Sequence, residues 1–242
     1  MSLAVLVAAI VEATAGFGAT IVTVTLAAQL MSVHEILAIF LPVNLAMSLY
    51  LLIRYRALVA WDLLGRRVLP WMGAGLIVGI LSASAAGQPL LKALFAALVV
   101  LLAAWELARP GGNHAAEPRP ISPTRAAGAL LAAGVVHGVF ATGGPLVVYV
   151  LGKTVAQKGQ FRATLAALWT VLNSTLILSY VRQGYLDTST LQVSALMLVP
   201  LLVGGALGER LHHRLPLRQF RIGVFALLLA GGLSLLIRTL AA

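Results

Sequence analysis

The chain has 242 residues, of which 60% are hydrophobic and 10% charged, and its mean hydropathy is strongly positive. A soluble domain carries roughly 25% charged residues, so a water-facing globule is excluded and the protein is integral to a membrane. The formal net charge of +10 sits in short polar stretches between apolar runs, a topology signal rather than a nucleic-acid footprint. With no cysteine in the chain, disulfides, thiolate metal sites and thiol redox chemistry are excluded as well.

In chain order, the first apolar segment covers about 2–31 and is broken near 15–18, where the sequence reads Glu12-Ala13-Thr14-Ala15-Gly16-Phe17-Gly18-Ala19-Thr20. Met1 to Ile10 has no basic stretch and Glu12 interrupts the apolar run, so no cleavable signal peptide is expected. Segments over 33–53, 68–86 and 88–108 come next, each close to the ~20 residues that cross a hydrocarbon core. The polar, Pro- and Gly-rich stretch 109–123 cannot span and reads as a linker. A fifth segment, 124–151, is broken near 138–144 at His137-Gly138-Val139-Phe140-Ala141-Thr142-Gly143-Gly144-Pro145. Segments over 161–181, 188–208 and 217–240 complete the chain.

The two halves are related. Glu12 and His137, like Gly18 and Gly143, lie 125 residues apart, while Asn44 and Asn173, Gly75 and Gly204, and Gly79 and Gly208 lie 129 apart. Small loop insertions account for that drift. The expected fold is an all-α integral membrane protein built from two repeats, 1–108 and 124–242, joined by a cytoplasmic linker at 109–123.

Charge bookkeeping selects the topology. If all eight segments cross, nine basic residues lie on one side and eight on the other, which orients nothing. If segments one and five are re-entrant hairpins that turn back at their glycine breaks, fourteen lie on one side and only Lys92, Arg182 and Arg238 on the other. Each half then crosses three times, so the repeats are inverted, and both termini face away from the cytoplasm. Inverted repeats with interrupted helices at matching places point to a transporter's binding site.

The candidate residues cluster at the breaks. A titratable group inside a membrane span defaults to a functional hypothesis, which makes Glu12 and His137 candidates for proton coupling. The alternative is a neutral acid bonded to backbone freed by the break, and a satisfied core histidine. The arm after each break starts a new helix whose first N–H groups lack intrahelical partners and whose positive dipole end suits an anion. Thr14, Gly16, Gly18, Ala19 and Thr20 in one half, and Thr142, Gly143 and Gly144 in the other, are therefore expected to contact a small anion at the membrane midplane, between the repeats. Asn44 and Asn173, polar residues inside apolar spans, either meet substrate or fix the broken backbone. Gln29, Tyr149 and Trp169 are weaker candidates. Gly73, Gly75, Gly79, Gly204, Gly205 and Gly208 fit close helix packing, and Tyr55, Trp61, Trp71 and Tyr185 fit interfacial belts. Motifs for ATP or metal chemistry and nucleophile elbows are missing, so no enzyme, cofactor or metal is expected, and a gradient must drive transport.

Glu12 to Leu26, EATAGFGATIVTVTL, and Gly134 to Leu151, GVVHGVFATGGPLVVYVL, resemble the paired motifs of the TauE/SafE family of sulfite and organosulfur-anion exporters. The likeness covers nearly the whole chain. The first motif departs from the family's common form, with Gly18-Ala19-Thr20 in place of a glycine triplet and Thr25 where proline is frequent. The resemblance implies an inner-membrane secondary carrier of small sulfur-containing anions such as sulfite, thiosulfate or sulfonates. Its expected partners are the anion, the bilayer and protons, with homo-oligomerisation left open. A channel-like anion pore and a non-transporting membrane scaffold are the other readings.

Overall fold

A computed structural model describes residues 1–15, 18–108, 121–155, 157–212 and 217–241. Every regular element among them is helical: α1 (Ser2–Ala15), α2 (Ala19–Ala27), α3 (Val33–Tyr55), α4 (Trp61–Leu63), α5 (Leu69–Ala85), α6 (Gln88–Ala108), α7 (Pro123–Phe140), α8 (Gly144–Leu151), α9 (Lys158–Arg182), α10 (Thr188–Leu196), α11 (Leu198–His212) and α12 (Leu217–Leu240). Among the described residues six stretches are long and apolar enough to cross a membrane: Val33–Leu58, Trp61–Ala85, Gln88–Ala108, Gly159–Arg182, Thr188–Gly208 and Ile222–Leu240. The two broken segments are different. At 1.5 Å per residue α1 is about 21 Å long, and α2 and α8 are roughly 12–14 Å, all short of the ~30 Å hydrocarbon core. In each case the second arm packs back on the first, α2 on α1 and α8 on α7.

Local chemistry explains where the helices begin. Ser32 and Glu35 form a capping box at the start of α3: the Ser32 N–H donates to Glu35 Oε2 at 2.9 Å, and the Glu35 N–H to Ser32 Oγ at 3.2 Å. Ser122 caps α7 through the Arg125 N–H, with Pro123 at the first helical position. Asp187 caps α10 by accepting from the Thr190 N–H and from the Ser189 and Thr190 hydroxyls. Those hydrogen bonds hold its carboxyl down at about 2.

The helices gather into two compact units, Met1–Phe40 with Ala86–Asn113 and Gln192–Ala242, and Leu41–Ala85 with His114–Leu191. The boundary in α3 falls just before Pro42, whose nitrogen cannot donate to the helical ladder. In the first unit the α1–α2 hairpin packs on α11 and α12, and α12 packs on α6. Gln88 fixes the start of α6 to the start of α3, accepting from the Val33 N–H at 3.2 Å and donating to His34 Nδ1. In the second unit the α7–α8 hairpin packs on α5. Thr164 of α9 accepts from the Ala60 N–H at 3.0 Å, holding the turn between α3 and α4.

Glycine makes the main contacts possible. A Cβ built on Gly75 would meet the Leu131 carbonyl, Val135 N and the Gly134 Cα; one on Gly138 would meet the Leu76 carbonyl, Ile80 N and the Gly79 Cα. The α5 and α7 backbones therefore touch through Gly75, Gly79, Gly134 and Gly138. In the first unit Gly204 faces the Leu6 carbonyl and Ala9, and Gly208 faces the Ile10 carbonyl and Ala13. The 129-residue and 125-residue offsets found in the sequence also relate these contacts, with alanine replacing glycine on α1. Without a hydrophobic drive between helices in lipid, such close approach is a main source of association energy. Gly73 and Gly205, grouped with the packing glycines on sequence, have nothing within 4 Å of an added Cβ and take no part.

Candidate functional site

The second hairpin breaks at Ala141, which sits in the left-handed region with φ 52° and ψ 29° and donates its N–H to the His137 carbonyl at 2.7 Å. A side chain there costs roughly 1–2 kcal/mol, and strain of this kind concentrates at functional sites. The glycines of this break, Gly143 and Gly144, are not the residues with positive φ. Replacing Ala141 with glycine should remove that strain, less the entropy glycine adds to the unfolded chain. We predict that Ala141→Gly is neutral to about 1 kcal/mol more stable in thermal unfolding of the detergent-solubilised protein; marked destabilisation would contradict it.

His137 organises the tip of this hairpin. Its side chain is 2% exposed, and its Nδ1 accepts from the Gly143 N–H at 3.4 Å while Nε2 lies 3.2 Å from Asn173 Oδ1. A neutral imidazole has one donor and one acceptor nitrogen. Because the Gly143 N–H can only donate, Nδ1 is the acceptor and Nε2–H donates to Asn173. The tautomer is thus assigned by the network. Trp169, one turn before Asn173 on α9, stacks on the imidazole with ring centroids 5.1 Å apart and 18° between planes. On sequence Trp169 ranks low, since a tryptophan in an apolar span carries no signal of what it covers.

Asn173 is 1% exposed, and its Nδ2 meets no acceptor among the described residues. Most buried polar atoms are bonded, so this amide is an available donor beside the hairpin tip. Gly143 is the residue before α8 and is packed tightly: an added Cβ would strike the Ala133 carbonyl and lie 3.1 Å from His137 Cβ. Gly144, the first residue of α8, has open space where its Cβ would be. Thr142 is buried at the same tip. The structure therefore brings His137, Thr142, Gly143, Gly144 and Asn173 together, and within this group Gly144 is where backbone lies open.

The first hairpin is built on Gly18, which precedes α2 with φ 103° and ψ 0°, a conformation that requires glycine. Ala19 and Thr20 are buried on α2, and Glu12 is half-buried on α1 and has an interaction partner. Gly16 and the side chain of Thr14 lie outside the described residues, as does most of the 109–123 linker. Thr23 carries no signal in the sequence, yet its Oγ1 is fully buried without a partner among the described residues. Asn44 is half-buried on α3 and also has a partner. The weaker candidates have structural roles: Gln29 donates to the Gly231 carbonyl at 3.0 Å and accepts from Ser234, and Tyr149 is exposed beneath Lys153. Ser174 and Thr175 bond back to carbonyls of their own helix. No group of three or more potential metal ligands occurs among the described residues.

The family model for the sulfite exporter TauE/SafE matches residues 1–235. The chain belongs to the TauE/SafE family. It is also 30% identical over 180 residues to the probable inner membrane transporter protein TsaS of Comamonas testosteroni, covering 73% of this chain and 72% of that protein. No solved structure matches the chain. This TauE/SafE protein is a multi-pass inner-membrane transporter, with six membrane-capable helices among the described residues.

Proposed function

We propose that this TauE/SafE protein is a proton-coupled secondary carrier of a small sulfur oxyanion such as sulfite, thiosulfate or a sulfonate, taken up at the hairpin breaks. The observation that carries the reading is the tip of the α7–α8 hairpin. There the buried, unpartnered Nδ2 of Asn173 belongs to the network that ends at Gly143, next to the open start of α8 at Gly144. Gly18, Ala19, Thr20 and Asn44, with Thr14 and Gly16, are proposed as the other substrate contacts. The basic residues lie at segment ends and in loops by sequence, so backbone and amide donors take the place of a fixed cation. A helix N-terminus contributes ~0.3–1 kcal/mol to an anion when exposed and up to ~2 kcal/mol when partly buried.

In this reading the two broken segments are re-entrant, the repeats are inverted, and 1–108 and 124–242 are the repeats. The shortness of α1, α2 and α8, and the return of each second arm onto the first, favour it. Accessibility labelling should find residues 1 and 242 on the non-cytoplasmic face and the 109–123 linker on the cytoplasmic one. A linker labelled from the same side as either terminus would contradict the inversion.

Glu12 and His137 are the proposed proton carriers. Glu12→Gln and His137→Gln in proteoliposomes should each abolish uptake driven by a pH gradient while leaving anion binding measurable. Normal gradient-driven uptake by both variants would reduce the pair to structural hydrogen bonding.

A further inference from the structure

We propose that His137, in its neutral state, is a positioning residue that locks the Asn173 amide with its N–H2 edge presented to substrate, so that the tip selects oxyanions with no proton of their own over oxyanions carrying an O–H. This deepens the carrier reading and rests on it.

The direction of each hydrogen bond fixes the orientation of the amide. The Gly143 N–H forces His137 Nδ1 to accept, so Nε2–H must donate and Asn173 must turn Oδ1 towards it. Turning the amide over would set Nδ2 against an N–H, or require Nδ1–H to face the Gly143 N–H. Either arrangement puts donor against donor. Trp169, stacked on the imidazole, holds the ring in the plane this requires. The outcome is that Asn173 turns Oδ1 towards the imidazole and its N–H2 edge away from it, on an Nδ2 that meets no acceptor among the described residues.

The helices around the tip add no carboxylate. The helices α5, α7, α8 and α9 contain no Asp or Glu. The described carboxylates of this unit are Asp62, which is exposed and paired with Arg66, and Asp187, which caps α10. Other titratable groups on the elements packed against α7 are the exposed Arg66, Arg67 and Tyr149, and those on α9 are Lys158, Arg162, Tyr180 and Arg182 near its ends. The Thr142 hydroxyl turns either way and does not discriminate. A sulfonate or thiosulfate offers only acceptors and satisfies Nδ2–H2. An anion with an O–H loses its water partner on entering and meets another donor, the kind of mismatch that buried polar sites reject most strongly.

Ethanesulfonate and ethylphosphonate test this directly. At about pH 5, below the second ionisation of a phosphoryl group at about 6, both are singly charged and alike in shape, and only the phosphonate carries an O–H. Competition for equilibrium binding of a labelled sulfonate, with no pH gradient imposed, should show the wild-type protein preferring ethanesulfonate by roughly tenfold or more. Asn173→Asp, which replaces the donor edge with an acceptor, should erase or reverse the preference. His137→Phe keeps an aromatic ring against Trp169 but frees the amide to turn, and should bring the ratio close to one. A merely structural role for His137 would weaken both ligands equally and leave the ratio intact, overturning the inference. Equal competition by the two anions in the wild type would overturn it too, while leaving the carrier reading standing. Competition by neither would overturn both.

Discussion

Gly138→Val should be among the most destabilising single substitutions in the chain. The first atom of any side chain at Gly138 lies 2.5 Å from the Leu76 carbonyl oxygen and 2.9 Å from both the Gly79 Cα and Ile80 N. These are backbone atoms on α5, so no rotamer change relieves the clash and the helices must separate. Overpacking typically costs about 1–3 kcal/mol where side chains can adjust; with backbone on both sides we expect about 3 kcal/mol or more. Separation also forfeits the van der Waals contact that holds helices together in lipid. Gly73→Val, on the partner helix α5 but with nothing within 4 Å, is the control and should be nearly neutral. Thermal unfolding of the two purified variants in detergent measures the difference. Equal stability would show that α5 and α7 do not meet as described.

The second large effect is functional and separable from folding. Gly144→Val places a branched side chain in open space at the start of α8, where its φ and ψ need not be left-handed. The fold should survive, and anion transport should fall by roughly 100-fold or more, because the side chain shields the first N–H groups of the helix. Gly143→Val is the wrong probe: the Ala133 carbonyl already occupies the place of its Cβ, so lost transport would report lost packing. Gly18→Val suffers in another way, through its φ of 103°. Wild-type transport by a well-folded Gly144→Val protein would remove the α8 terminus from the substrate path.

The breaks are legible in the sequence because glycine and an ionisable residue inside an apolar run are costly in a membrane unless used. The packing glycines are legible because Gly75, Gly79, Gly204 and Gly208 recur at one offset, and that offset also relates the helix contacts they make. Which helix each glycine pair meets is not legible: a small-residue stripe permits close approach without specifying a partner, so Gly73 and Gly75 look alike. Nor can spacing join His137 to Asn173, which are 36 residues apart on different helices. Ala141 escapes notice because nothing in an alanine announces a left-handed backbone, which its neighbours impose.

The most direct test of carrier function is flux through the reconstituted wild-type protein under an imposed pH gradient. Sulfite, thiosulfate and a sulfonate are to be measured in parallel with a carboxylate and an amino acid. Proton coupling predicts saturable movement of the sulfur oxyanions that accumulates them against their own gradient when protons flow and stops when the pH gradient is collapsed. Flux that only dissipates the anion's gradient, or that prefers the carboxylate or amino acid, would contradict it.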